Sequence, residues 1–375
     1  MKLKLGIVCY PGIGGSGLVA TELGLALARR GHDVHFISYA APFRLRNMLD
    51  HVRYHSVDPI DYPLFRHSLY TFALTAKIVE ILEDYDLDLI HCHYSIPHAL
   101  CAHLAREITG KAVKIVTTLH GTDVSLVGID KPLYPLNRYG IQQSDAVTTV
   151  SRFQAEFVRR HFDLDLPIQV IYNFIDPEVF RPDGEVDCCR SCLARPDEKI
   201  IMHVSNYRPP KNPEGVIRTF HKVHQRIKAR LVLVGDGPGI CTIRHYCREH
   251  ELSDAVHFLG KHDQVERILP LADCVFLPSY REAFGMAILE AMACGVPTVT
   301  SHVDGIPEVV EEGVTGFMAA PDDHDALAEA IIRICSDDRL AREMGEAGRR
   351  RCVNQFHIDQ IVPLYEALYR DILAR

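Results

Sequence analysis

Apolar strand segments alternate with amphipathic helical segments along the whole of this chain, in two successive series. Such an alternation builds parallel sheets covered by helices, because a strand must cross back over the sheet before it can pair in parallel with the next. In the first series, residues 4–10 read as a strand, 11–17 as a glycine-rich turn and 21–30 as a helix ended by Gly31. Residues 34–38, 87–91, 113–119 and 146–150 supply further strands. A second series opens at Lys199, with strands at 200–204, 231–234, 256–258, 274–277 and 298–300. The two series echo each other: Ser144-Asp-Ala-Val-Thr-Thr-Val-Ser151 matches Ala272-Asp-Cys-Val-Phe-Leu-Pro-Ser279, each a strand ending in serine. The expected fold class is α/β, two doubly wound domains joined near residues 167–180, where Asn173, Pro177 and Pro182 interrupt regular structure. Residues 360–375 form a closing helix with no strand after it.

With 375 residues, the chain exceeds the usual length of one domain, and a hydrophobic content of 47% supplies two cores. No apolar run reaches the roughly 18 residues of a membrane span. The first strand stops at Pro11 and glycines, so it does not read as a secretory signal, and a cytoplasmic location is expected. A formal charge of −8 argues against an extended nucleic-acid surface. The twelve cysteines are scattered, several within apolar segments, and do not form a disulfide framework. Cys188, Cys189 and Cys192 make a Cys-Cys-x-x-Cys cluster, but no second ligand pair stands at zinc-finger spacing and no metal site is assigned.

The chemistry gathers at strand ends. Glu282 falls in the loop after residues 274–277, and Glu290 lies on the first turns of the helix that follows. Between them the N–H groups around Phe284, Gly285 and Met286 open that helix, and a helix start favours phosphate. Carboxylates accept from hydroxyls, so the segment suits a sugar nucleotide; alone, it reads equally as a solvated helix start. After the first strand of the second series, Asn206, Arg208 and Lys211 lie in a proline-stiffened loop, where a planar fork and a point charge suit a diphosphate.

In the first half, Gly12, Gly14, Gly15, Ser16 and Gly17 follow a strand, but their order is not a clean dinucleotide fingerprint. The second strand ends Ser38-Tyr39, with no carboxylate for a ribose hydroxyl, which disfavours a nicotinamide-dependent dehydrogenase. Backbone approach to a ligand and a purely structural turn both account for these glycines. Thr117-Thr118-Leu119-His120-Gly121-Thr122-Asp123 ends another strand and brings His120 to where ligands bind. His91-Cys-His93-Tyr94 ends a third; a zinc site there lacks a third ligand, and Tyr94 reads better as a lining residue.

Together these residues resemble the retaining glycosyltransferases of family 4, which have the GT-B fold, two Rossmann-like domains facing across a cleft. The resemblance rests on Gly14-Gly15, His120-Gly121, Lys211, Val234-Gly235-Asp236-Gly237-Pro238 and the stretch from Glu282 to Pro297, which together span nearly the whole chain. It implies that residues 1–170 with the helix 356–375 form an acceptor-binding domain, and 171–355 a nucleotide-sugar-binding one. The motifs Pro42-Phe43-Arg44-Leu45, His93-Tyr94-Ser95-Ile96-Pro97-His98 and Ser205-Asn206-Tyr207-Arg208 are similar to a narrower branch, which joins N-acetylglucosamine to L-malate in bacillithiol synthesis. Asn206 departs from the broader family, where many members carry an arginine; Arg208 is expected to take over that task.

The resemblance implies roles for individual residues. His120, Lys211, Arg208 and Glu282 would serve catalysis, the cations on the departing diphosphate, Glu282 on sugar hydroxyls and His120 on the 6-hydroxyl side of the ring. Gly15, Asn206, Phe258, Gly260, Phe284, Gly285, Met286 and Glu290 would hold UDP-N-acetylglucosamine, Glu290 through the ribose and the backbone of 258–260 at the uracil. Ser16, Arg44, Tyr94, Thr118 and Asn173 would meet L-malate. No metal or cofactor is expected, and a homo-oligomer stays open. A UDP-N-acetylglucosamine 2-epimerase would share the architecture and donor without needing Arg44 and Tyr94. A non-catalytic sugar-binding module is disfavoured by the cations and carboxylates that share strand ends.

Overall fold

The strands of the first half pair, all in parallel, into one sheet, and those of the second half into another. A computed structural model describes residues 2–12, 14–45, 50–58, 69–126, 128–186 and 190–375. The chain divides into two compact units, 1–173 with 358–375, and 174–357. Unit 1 contains β1 (Lys4–Val8), β2 (Asp33–Ser38), β3 (Val52–Ser56), β4 (Leu89–His93), β5 (Lys114–Leu119), β6 (Ala146–Thr149) and β7 (Ile168–Val170). Their spatial order is β3-β2-β1-β4-β5-β6-β7. Unit 2 contains β8 (Lys199–Val204), β9 (Ala229–Val234), β10 (Val256–Gly260), β11 (Cys274–Leu277), β12 (Thr298–Ser301) and β13 (Gly316–Ala319). Its order is β10-β9-β8-β11-β12-β13.

Central strands carry continuous apolar runs because helices cover both faces. Leu5, Ile7 and Val8 of β1, Leu89 and Ile90 of β4, and all of β11 are buried. Edge strands need no such run. β3, β7 and β13, which the sequence did not announce, all lie at sheet edges and expose part of their length.

The first helix is longer than expected. It runs Gly15–Arg29 and so begins six residues before Thr21. Its start is possible because Gly17 lacks a side chain: a Cβ there would lie 2.6 Å from the carbonyl oxygens of Tyr10 and Gly12. Other helix starts are capped. Asn212 accepts from Gly215 N at 2.9 Å before the helix Pro213–His224, and Asp323 accepts from Ala326 N at 3.0 Å before His324–Ser336.

The closing helix, Ile358–Ala374, belongs to unit 1. Glu366 takes both arms of Arg30, at 3.0 and 3.1 Å, and His32 Nε2 at 2.9 Å. Tyr369, fully buried, reaches His91 Nδ1 at 2.7 Å. Among the described residues no helix is long and apolar enough to cross a membrane.

Candidate functional site

In both sheets the strand order reverses beside the first strand of the series, between β1 and β4 and between β8 and β11. Ligands of open α/β sheets bind outside the carboxyl ends of strands at such a reversal. The loops after these four strands hold most of the residues singled out by sequence.

In unit 2, the loop after β8 is anchored by Tyr207, which is fully buried and donates from its hydroxyl to Val234 O at 3.2 Å. Asn206 and Arg208, on either side of it, are exposed, and Arg208 N donates to Asn206 Oδ1 at 3.4 Å. A short turn, Pro209–Lys211, then aims Lys211 at the neighbouring loop. There its ammonium group is ion-paired with Glu282 Oε2. Pro210 O accepts from Tyr280 N at 2.8 Å, so backbone and side chains both join the two loops.

Glu282 is held from a third strand end as well. Asp304, after β12, accepts from Glu282 N at 3.0 Å and from Arg281 Nε at 2.8 Å. Glu290 sits on the helix Met286–Ala293 and is almost wholly buried. Gly285 opens that helix at φ 95°, and a Cβ there would meet Ile306 Cδ1 at 2.7 Å. The N–H groups of Gly285, Met286 and Ala287 belong to the first turn, which has no intrahelical acceptors. Phe284 contributes only backbone to this surface, since its ring is buried edge-on against Phe356, with centroids 5.6 Å apart. On β10, Phe258 lies under the Arg244 guanidinium at 3.9 Å, and Gly260, at φ 73°, has open space where a Cβ would stand.

His203, near the end of β8, carries no motif that would single it out in the sequence. It is buried between Phe276 O, 2.8 Å from Nδ1, and Ser205 Oγ, 2.7 Å from Nε2. Burial, reinforced by the charge of Lys211, pushes its pKa down to about 4. The neutral ring ties β8 to β11 at the mouth of the two loops.

In unit 1, Ser16 and Tyr94 meet directly, Oγ to hydroxyl, at 3.1 Å. Gly14 and Gly15 beside them are exposed. Tyr94 adopts φ 100°, a region that side chains other than glycine rarely enter, at a cost on the order of 1–3 kcal/mol. Its N–H donates to Thr118 O at 3.0 Å, its ring lies edge-on to Tyr10 with centroids 5.4 Å apart, and the His120 ring is 5.7 Å away. Arg44 reaches back to the first helix, where Glu22 Oε1 lies 3.2 Å from its guanidinium.

His120 is half-buried, and its ring stacks on His93 at 5.1 Å. Burial pushes its pKa down to about 3, so it is neutral. Its loop is fixed by Asp123, whose Oδ1 accepts from His120 N at 3.1 Å and Gly121 N at 3.0 Å. Burial raises the Asp123 carboxyl to about 6 against the pull of those N–H groups. Sequence reading quoted Asp123 but gave it no role; its place three residues after His120 was the available signal.

Two expected acceptor residues are buried. Thr118 points into the core, where its hydroxyl lies 2.7 Å from His91 Nε2 and 2.6 Å from Thr148 Oγ1. The hydroxyl is fully buried, and the Thr118 carbonyl holds Tyr94 through its N–H. Asn173 ends the first segment of unit 1 and is 5% exposed, and its Oδ1 meets no donor among the described residues. Cys188 and Cys189 lie outside the described residues, and Cys192 is exposed. Among the described residues no group of three or more His, Cys, Asp or Glu is arranged to hold a metal.

Comparison with known proteins gives two family matches, Glycosyltransferase Family 4 over residues 13–179 and Glycosyl transferases group 1 over 190–351. The N-acetyl-alpha-D-glucosaminyl L-malate synthase of Bacillus anthracis is 43% identical over 373 residues, spanning 100% of this chain and 98% of that protein. Among solved structures, sucrose-phosphate synthase from Thermosynechococcus elongatus superposes with a TM-score of 0.82 at 24% identity, each chain covered completely. Anabaena HepE, in complex with UDP and glucose, gives 0.80 at 21% identity, with 98% of this chain and 99% of that one covered. Strand orders, strand-end loops and full-length identity agree, and the chain belongs to the family 4 glycosyltransferases of GT-B fold.

Proposed function

We propose that this enzyme transfers N-acetylglucosamine from UDP-N-acetylglucosamine to the hydroxyl of L-malate, with retention at the anomeric carbon, as the first step of bacillithiol biosynthesis. The full-length 43% identity to the Bacillus anthracis malate synthase carries the reading. The ion-paired Lys211 and Glu282 and the contact of Ser16 with Tyr94 support it from the site's geometry.

On this reading unit 2 holds the donor. Glu290 accepts from the ribose hydroxyls, the backbone of 258–260 meets the uracil, and Glu282 accepts from sugar hydroxyls. Lys211, Arg208 and the N–H groups at Gly285 and Met286 face the diphosphate, with Asn206 beside them. Unit 1 holds malate: the planar fork of Arg44 takes a carboxylate, and the hydroxyls of Ser16 and Tyr94 donate to the remaining oxygens. Asn173 offers its Oδ1 as an acceptor for the malate hydroxyl, and His120 donates to the 6-hydroxyl.

The bond between the anomeric carbon and the diphosphate oxygen breaks, and the malate oxygen bonds to that carbon on the same face. The malate hydroxyl proton passes to the leaving phosphate oxygen, so no protein base or nucleophile is needed. The task left to the protein is positioning and charge stabilisation, and loss of one oriented donor in such a site costs about 10²–10³ in rate. Cationic side chains supply that stabilisation here, and we assign no metal or cofactor. We place the enzyme in the cytoplasm, a setting that its buried cysteine thiols fit.

The product decides the reading. Its mass should equal N-acetylglucosamine joined to malate, and its anomeric proton should show the small coupling of an α-linkage. A β-linked product would remove retention, and 2-epimerised sugar without malate adduct would turn the reading to an epimerase. Activity abolished by a chelator and restored by magnesium would overturn metal independence.

A further inference from the structure

We propose that His93 is a positioning residue that holds His120 in its Nδ1–H form, so that His120 meets the substrate as a hydrogen-bond donor and not as a base. The proposal rests on the reading that His120 faces the transferred sugar, but its core is a property of the free protein.

His93 ends β4 and His120 follows β5, and these strands are neighbours, with His93 opposite Thr118. The two rings lie 24° from parallel, and His93 Nδ1 is 2.9 Å from His120 Nε2. One of these nitrogens carries the shared hydrogen, since both rings are kept neutral, chiefly by burial.

The far side of His93 decides which. His93 Nε2 is buried and meets no partner among the described residues. If His120 donated, His93 would carry its hydrogen on Nε2, a buried donor with nothing to receive it. If His93 donates from Nδ1, its Nε2 is a bare acceptor. Orphaned buried N–H groups are the rarer and costlier case, so the second arrangement wins. A neighbouring ring shows the same pattern: His98 Nδ1 lies 2.6 Å from His93 O, which only accepts, so the hydrogen of His98 is on Nδ1 and its buried Nε2 is bare.

With Nε2 of His120 engaged as an acceptor, its hydrogen sits on Nδ1, which has no partner among the described residues. That atom is the donor offered to a hydroxyl oxygen. The tautomer also keeps His120 from taking the acceptor's proton, which leaves that proton to the departing phosphate.

Long-range 1H–15N correlation on the histidine-labelled free enzyme tests the tautomer directly. His120 is expected to show a protonated Nδ1 and a bare Nε2; a protonated Nε2 would overturn the proposal. Kinetics separate positioning from bulk structure. In H93N the side-chain amide nitrogen stands where Nδ1 stood and preserves the donor, whereas H93L removes it. H93L should lower kcat about tenfold, the loss of one oriented hydrogen bond, and leave the malate KM unchanged, while H93N restores most of the rate. Equal rates for H93L and wild type, or equal losses in H93L and H93N, would contradict it. Should H93L not fold, H93N and the wild-type spectrum decide alone. Absence of malate-dependent turnover in wild type, with the Nδ1–H signature intact, would instead count against the proposed reaction.

Discussion

Lys211 and Glu282, 71 positions apart in sequence, are ion-paired between the loops that leave β8 and β11. A cation proposed to meet a diphosphate and a carboxylate proposed to meet a sugar thus neutralise each other in the free protein. Donor binding must exchange this pair for two new ones, Lys211 with phosphate and Glu282 with hydroxyls. The exchange limits the cost of holding either charge half-buried before substrate arrives.

E282Q should therefore release Lys211. The variant is expected to bind UDP more tightly in calorimetric titration, yet to show a lower kcat/KM for the sugar nucleotide. K211M should lower kcat about 10²-fold or more, with a far smaller change in Tm. UDP binding weakened in E282Q would show that the pair does not compete with the diphosphate.

Glu290 is assigned to a part of the donor that UDP and UDP-N-acetylglucosamine share. E290A is thus expected to weaken both by about the same factor, roughly ten- to a hundredfold, leaving the malate KM unchanged. Selective loss of the sugar nucleotide alone would move Glu290 from the ribose to the sugar.

Arg44 pairs with Glu22 on the helix that also carries Ser16. R44A should raise the malate KM about tenfold or more while the Kd for UDP holds, and R44K should recover little because a point charge does not replace the fork. Parallel losses in malate and UDP binding would take Arg44 out of the acceptor site.

Three buried histidines and the half-buried His120 set an acid limit to stability. His91 and His120 are pushed down to about 3, and His98 and His203 to about 4, with burial the largest cause in each. The unfolded chain takes up these protons near pH 6.5 and the folded one only near 3–4. Their stabilisation is full above 6.5 and lost as pH falls, at roughly 1.4 kcal/mol per histidine per unit. Asp123, raised to about 6, works in the opposite sense, favouring the fold below its unfolded value and losing that contribution as pH rises through 6. Four groups outweigh one, so Tm should drop clearly between pH 7 and pH 5; a level profile would contradict the buried neutral rings.

The central strands were legible because burial on both faces demands continuous apolar runs. β3, with Arg53 and His55, and β7, with Gln169, could not be read that way, since an edge strand keeps part of its surface in water. The first helix was read short because Gly15 and Gly17 look like turn residues, although Gly17 is there to let the helix approach the preceding loop. At the site, single residues at strand ends were visible, but their pairings were not. Thr118 shows why: whether a strand-end hydroxyl faces a ligand or the core depends on which side of the sheet it falls, and a shift of one residue reverses the answer. Lys211 with Glu282, and His93 with His120, required two strand ends to be brought together.

The most direct test is UDP release measured with UDP-N-acetylglucosamine and a panel of hydroxy acids and sugars as acceptors. The account predicts release that depends on L-malate, saturates with it and matches the formation of the malate glycoside one for one. UDP release indifferent to malate, or faster with another acceptor, would contradict it.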